Sequence, residues 1–154
     1  MATTTAAITL TSADLLTDSL ALSASMTLYQ HGTTSTGLDE VNYHRANIPT
    51  GTNFTLIQES AALNTGGSNY VYIINKNTDV TDYVTISIRS EVIGHLYAGD
   101  WMFIPYSDAT TATAGVDDPS GDDSDIEIQA FTHENTIEYA MFHVGETLLT
   151  ASDS

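Results

Sequence analysis

The chain has 154 residues, 20 acidic side chains against 3 basic ones, a formal net charge of −17 and no cysteine. That length fits one domain with a core of its own, and the lack of cysteine excludes disulfides and thiolate metal sites. A surface this acidic repels phosphate backbones, so no direct contact with DNA or RNA is expected. The charge reads first as solubility and colloidal repulsion, which a marine or halophilic source would also produce. With 42% of residues hydrophobic, the chain is not a disordered polyelectrolyte. The opening "MATTTAAITL" has neither the basic nor the apolar region of a signal peptide. No run approaches the roughly 18 apolar residues of a membrane span.

Residues 1–12, rich in Thr and Ala, predict an extended N-terminal arm. Thr11 and Asp14 have capping-box spacing, compatible with one helical turn, and a strand start fits there as well. From Leu20 to Leu28 apolar residues alternate with Ser, Ala and Thr, the period of a half-buried strand. Residues 30–53 show no period and many turn formers, so they read as loop with at most one short element. "FTLIQE" (54–59) reads as strand and "NTGGSN" (64–69) as turn. "NYVYIIN" (69–75), "KNTD" (76–79) and "VTDYVTISIRS" (80–90) predict a β-hairpin whose second arm turns Val84, Ile86 and Ile88 to one side. "VIGHL" (92–96) and "WMFIP" (101–105) predict a second pair across "YAGD". An acidic loop fills 106–124, and "DIEIQAF" and "TIEYAMFHV" close the chain as strands around "THEN". Seven or eight strands with almost no helix signal predict an all-β fold. The expected architecture is one β-sandwich, jelly-roll or Ig-like, over 13–154 with the arm at 1–12.

The stretch "GHLYAGDWMFIPY" (94–106) holds the single Trp. Trp101, Phe103 and Pro105 share one parity, Met102 and Ile104 the other, and both faces are apolar. Such a strand is expected to be covered on both sides, by the core and by a loop or partner subunit. Trp101→Ala would then cost about 3–5 kcal/mol, as a large-to-small core change does.

Signals for chemistry are few. Asp117, Asp118, Asp122, Asp123 and Asp125 in "DDPSGDDSD" offer carboxylate oxygens for a weak calcium site. Their order does not match an EF-hand, and a solvated acidic loop is the plainer reading of them. The histidines His31, His44, His95, His133 and His143 show no metal-ligand spacing. No nucleophile elbow, P-loop or dinucleotide fingerprint is present, so no catalytic residues and no enzyme activity are expected. Tyr70, Tyr72, Trp101, Phe103 and Tyr106 suit either core packing or a sugar-stacking platform. The Thr- and Ser-lined strand faces and the β-branched arm favour assembly over catalysis.

In "ITLTSADLLTDSLALSASMTL", "YVYIINKNTDVTDYVTISI", "IGHLYAGDWMFIPY" and "DIEIQAFTHENTIEYAMFHV" the chain resembles small virion structural proteins of tailed bacteriophages, particularly marine and cyanobacterial phages. The resemblance covers most of the chain, and Ala98 stands where that family often has Pro. It implies a non-enzymatic virion protein made in the host cytoplasm, and the net charge of −17, which packaged DNA would repel, favours the outer surface of the capsid and a decoration or cement role. Its implied partners are the major capsid protein and copies of itself, with no cofactor, nucleic acid or membrane. The alternatives are a tail, baseplate or fibre component, and a carbohydrate-binding β-sandwich module.

Overall fold

A computed structural model describes residues 4–13, 20–30, 34–38, 40–57, 69–88, 90–106 and 125–143. Ten strands run through them: β1 Thr4–Ser12, β2 Leu20–Leu28, β3 Glu40–Ile48, β4 Phe54–Ile57, β5 Asn69–Asn75, β6 Tyr83–Ile88, β7 Glu91–Tyr97, β8 Trp101–Tyr106, β9 Ile126–Ala130 and β10 Asn135–His143. The described residues contain no helix, and therefore none long and apolar enough to cross a membrane.

Eight strands build two antiparallel four-stranded sheets, ordered β3-β10-β5-β8 and β4-β9-β6-β7. The sheets lie face to face because each strand turns one parity of its residues inward. Ile48, Val71, Ile73, Tyr106 and Ile137 of the first sheet meet Leu56, Val84, Ile86, Leu96, Ile126 and Ile128 of the second in one buried cluster. Burying each such side chain contributes roughly 1.5–3 kcal/mol, so this shared layer is the main source of stability.

The chain changes sheet at nearly every connection. Strands β5 and β6, predicted as a hairpin, do not pair; β5 lies between β10 and β8, and β6 between β9 and β7. Likewise β7 and β8 belong to opposite sheets. The cause is burial: Val71 and Ile73 on β5 and Val84 and Ile86 on β6 face each other across the core, which a flat hairpin would not allow. Among the described residues the local hairpin of the sandwich is β6–β7, and Ser90 in its connection adopts φ 61°.

Strand β3 is longer than the sequence suggests. Its apolar residues sit on opposite parities, Val41 and Tyr43 outward and Ala46 and Ile48 inward. An edge strand used on both faces loses its simple period.

The N-terminal region also differs from expectation. Residues 4–12 are not a lone arm but pair over their whole length with β2, from Thr4↔Leu28 to Ser12↔Leu20. This ribbon is a separate two-stranded sheet, so residues 20–28 do not enter the sandwich sheets. Its base is tied down by the Leu38 N–H donating to Leu28 O (3.0 Å) and the Thr4 hydroxyl donating to Leu38 O (2.9 Å). Leu28 and Leu38 are buried there.

Candidate functional site

The outer face of the first sheet brings together aromatic side chains from three of its strands. Register sets three rows across its four strands: Val41, Phe142, Tyr70 and Pro105; Tyr43, Ala140, Tyr72 and Phe103; Arg45, Glu138, Ile74 and Trp101. Cross-strand diagonals bring the rings together. Tyr70 stacks on Phe103 with centroids 5.4 Å apart, Tyr72 tilts against Trp101 at 6.2 Å, and Phe103 meets Phe142 edge-on at 6.1 Å. Val41, Tyr43 and Trp101 are exposed, Trp101 at 49%. The expectation that Trp101 is a core residue is therefore corrected. Its parity points away from the sandwich, while Met102 and Ile104 pack inward.

This face is almost free of net charge. Within these three rows the one acid, Glu138, pairs with the one base, Arg45, at 3.6 Å. Glu138 also accepts a hydrogen bond from the Tyr43 hydroxyl, which raises the tyrosine pKa above its ordinary value. A contiguous apolar patch of this kind makes the face a candidate interaction surface.

The β1–β2 ribbon presents a second such surface. Ala6, Ile8 and Leu10 lie opposite Met26, Ala24 and Leu22 on one face, and Ile8, Leu10, Leu22 and Met26 are 40–54% exposed. The other face holds Thr5, Thr9 and Thr11 with Ser23, Ser25 and Thr27. No charged residue occurs in either strand.

A polar cluster closes one end of the sandwich, where three connections meet. Asn75, Asp82 and Asn135 are buried. Asn75 Nδ2 donates to Leu96 O (3.0 Å) and to Asn135 Oδ1 (3.2 Å), and Asn75 Oδ1 accepts from the Asn77 N–H (2.9 Å). Asn77 Nδ2 bridges Asn135 Oδ1 (3.0 Å) and Asp82 Oδ2 (3.2 Å), and Asn135 Nδ2 donates to His133 O (2.9 Å). His133 Nδ1 lies 3.0 Å from both oxygens of Asp82, and since a carboxylate only accepts, Nδ1 carries the proton. That hydrogen bond, and then the carboxylate charge, raise the pKa of His133. Backbone bonds complete the join: Asn75 N–H to Asp100 O (3.0 Å), Gly99 N–H to Asn75 O (2.9 Å) and Lys76 N–H to Thr136 O (2.8 Å). Gly99, at φ 85°, occupies the left-handed position of the predicted Gly-Asp turn.

Within this cluster Asp79, Asp82 and His133 each bring one ligand atom within 4.8 Å of the others. Such a mixed carboxylate and imidazole set suits a transition-metal ion better than calcium. Its atoms are already engaged, however. Asp82 receives His133 and Asn77, and Asp79 Oδ1 receives the backbone N–H (3.0 Å) and hydroxyl (2.7 Å) of Thr81. The same bonds lower the Asp79 pKa. These hydrogen bonds tie the connections that carry Asp79, Asp82 and His133 to one another.

Of the calcium candidates, Asp117, Asp118, Asp122 and Asp123 lie outside the described residues, as does the acidic loop beyond Tyr106. Asp125 is half-buried immediately before β9. Among the aromatic candidates, Tyr70, Tyr72, Trp101 and Phe103 share the outer face, whereas Tyr106 points into the core. Sequence reasoning missed Tyr43, which lies in the unrecognised β3, and Phe142, which lies in the expected last strand but reaches this face only through its pairing with β5. No protein-family model and no curated protein matches the chain.

Proposed function

We propose that the protein is a non-enzymatic virion structural subunit that binds the outside of an assembled capsid as decoration or cement. The observation carrying this reading is the partition of charge. A chain of net charge −17 keeps two apolar surfaces, the aromatic sheet face and the β1–β2 ribbon, at zero net charge. Uncharged apolar faces of this kind give the subunit a means of joining copies of itself into the oligomeric unit that a lattice carries. The motif resemblance to phage virion proteins supplies the identity of the lattice. The strand order β3-β10-β5-β8 over β4-β9-β6-β7 supports a jelly-roll reading, eight strands wound as two Greek keys, over an Ig-like one. Binding the assembled shell and not its free subunits would stabilise the shell by mass action. Heating purified particles with and without the protein tests this. Particles carrying it are expected to survive to higher temperature, and equal survival removes the cement role. Copy number separates shell from tail: hundreds per particle are expected for the shell, and a few dozen or fewer would place the protein in the tail.

One observation favours a second reading. The Tyr70–Phe103 and Tyr72–Trp101 pairs, with Trp101 exposed, gather aromatic rings of the kind on which sugar rings stack. A glycan array would detect a carbohydrate-binding module, and no bound glycan would remove that reading.

A further inference from the structure

We infer that the protein forms a reciprocal two-fold dimer in which the β1–β2 ribbon of each copy lies on the aromatic sheet face of the other. The inference rests on these faces being assembly surfaces and not on the identity of the shell. A two-stranded ribbon is at best marginally stable alone in water. Here it presents Ile8, Leu10, Leu22 and Met26 to solvent, so its order calls for a cover.

Charge narrows what the cover can be. Two copies repel through their acidic surfaces and can meet only where that charge is absent. The ribbon has no charged residue, and the sheet face has one internally paired couple, Arg45 and Glu138. Neither face therefore leaves an unpaired charge when water is expelled.

Area selects the mode. Strands of nine residues at about 3.4 Å rise, two abreast at about 4.8 Å, make a ribbon face of about 300 Å². Docking ribbon on ribbon buries about 600 Å² in all, half the lower limit of about 1,200 Å² for a stable interface, and leaves the aromatic face wet. The four-stranded face is about 19 Å wide, so it can receive a two-stranded ribbon with margin to spare. Placing each ribbon on the partner's sheet face makes the contact twice, reaches about 1,200 Å², and covers both apolar faces together.

The absence of cysteine makes the geometry directly testable. In sedimentation equilibrium at tens of micromolar, the wild type is expected at twice the chain mass of 16.5 kDa. Leu22→Ser with Met26→Ser, and separately Trp101→Ser, are expected to halve that mass while circular dichroism stays that of the folded sandwich. Mixing a Leu22→Cys chain with a Phe103→Cys chain under mild oxidation is expected to give the mixed cross-link. A monomeric wild type overturns the inference, as does cross-linking of the Leu22→Cys chain to itself with no mixed product. Either outcome leaves the shell reading standing, whereas equal particle survival on heating removes the shell reading and leaves the dimer.

Discussion

Strands β2 and β6 carry the same kind of alternation, Leu22-Ser23-Ala24-Ser25-Met26 in one and Val84-Thr85-Ile86-Ser87-Ile88 in the other. In β6 the apolar side meets the first sheet, and Val84 and Ile86 are fully buried. In β2 the apolar side lies on a two-stranded ribbon with no second layer among the described residues, and Leu22 and Met26 stay half exposed. Alternation therefore specifies which face is apolar but not what covers it. For β6 the cover is another part of the same chain. For β2 we assign it to another molecule, and the substitutions below separate the two cases.

The largest contrast is between Ile86→Ala and Leu22→Ala in dilute, monomeric protein. Ile86→Ala is expected to cost about 2–5 kcal/mol in urea denaturation, because it opens a cavity between the sheets. Leu22→Ala should stay within about 0.5 kcal/mol, as a surface change does. Similar losses at both sites would mean that the ribbon is covered within its own chain. Next comes Asn135→Ala, expected to cost about 1–3 kcal/mol because Asn75 and Asn77 each lose a buried acceptor. A neutral result would show that the crossovers hold without the network. Trp101→Ala should cost the monomer about 0.5–1.5 kcal/mol, the worth of an aromatic pair, and not the loss expected of a core position.

The smallest effect is the pH dependence contributed by His133. Its pKa is raised in the fold by Asp82, so the pair stabilises fully below the ordinary histidine value of about 6.5. That contribution fades as pH rises through the raised value. His133→Gln should therefore lower the melting temperature at about pH 5.5, with the deficit shrinking toward about pH 8. A deficit that is constant over this range would assign the effect to packing.

Much of the strand content was legible, because β2, β6 and β9 alternate cleanly and β5, β8 and β10 are short apolar runs bounded by turn residues. Pairing was not legible. The stretches 69–75 and 80–90 looked like a hairpin because a polar turn joins two apolar runs, and that signal is identical when the turn crosses between sheets. The actual β6–β7 turn escaped notice because Arg89-Ser90 is not a turn dipeptide, yet Ser90 takes the left-handed conformation. The aromatic face was half visible, in Tyr70, Tyr72, Trp101 and Phe103. Tyr43 remained hidden with its unrecognised edge strand. The contact between Asp82 and His133 joins positions 51 residues apart, and no local pattern announces it.

Hydrogen exchange of the β1–β2 amides as a function of protein concentration tests the division between a self-sufficient sandwich and a ribbon completed by a second copy. The core strands β5, β6, β9 and β10 should be protected equally at all concentrations. The ribbon amides should exchange rapidly in dilute protein and slow markedly once copies associate. Ribbon protection that matches the core at every dilution would show that the chain covers its own ribbon and needs no partner.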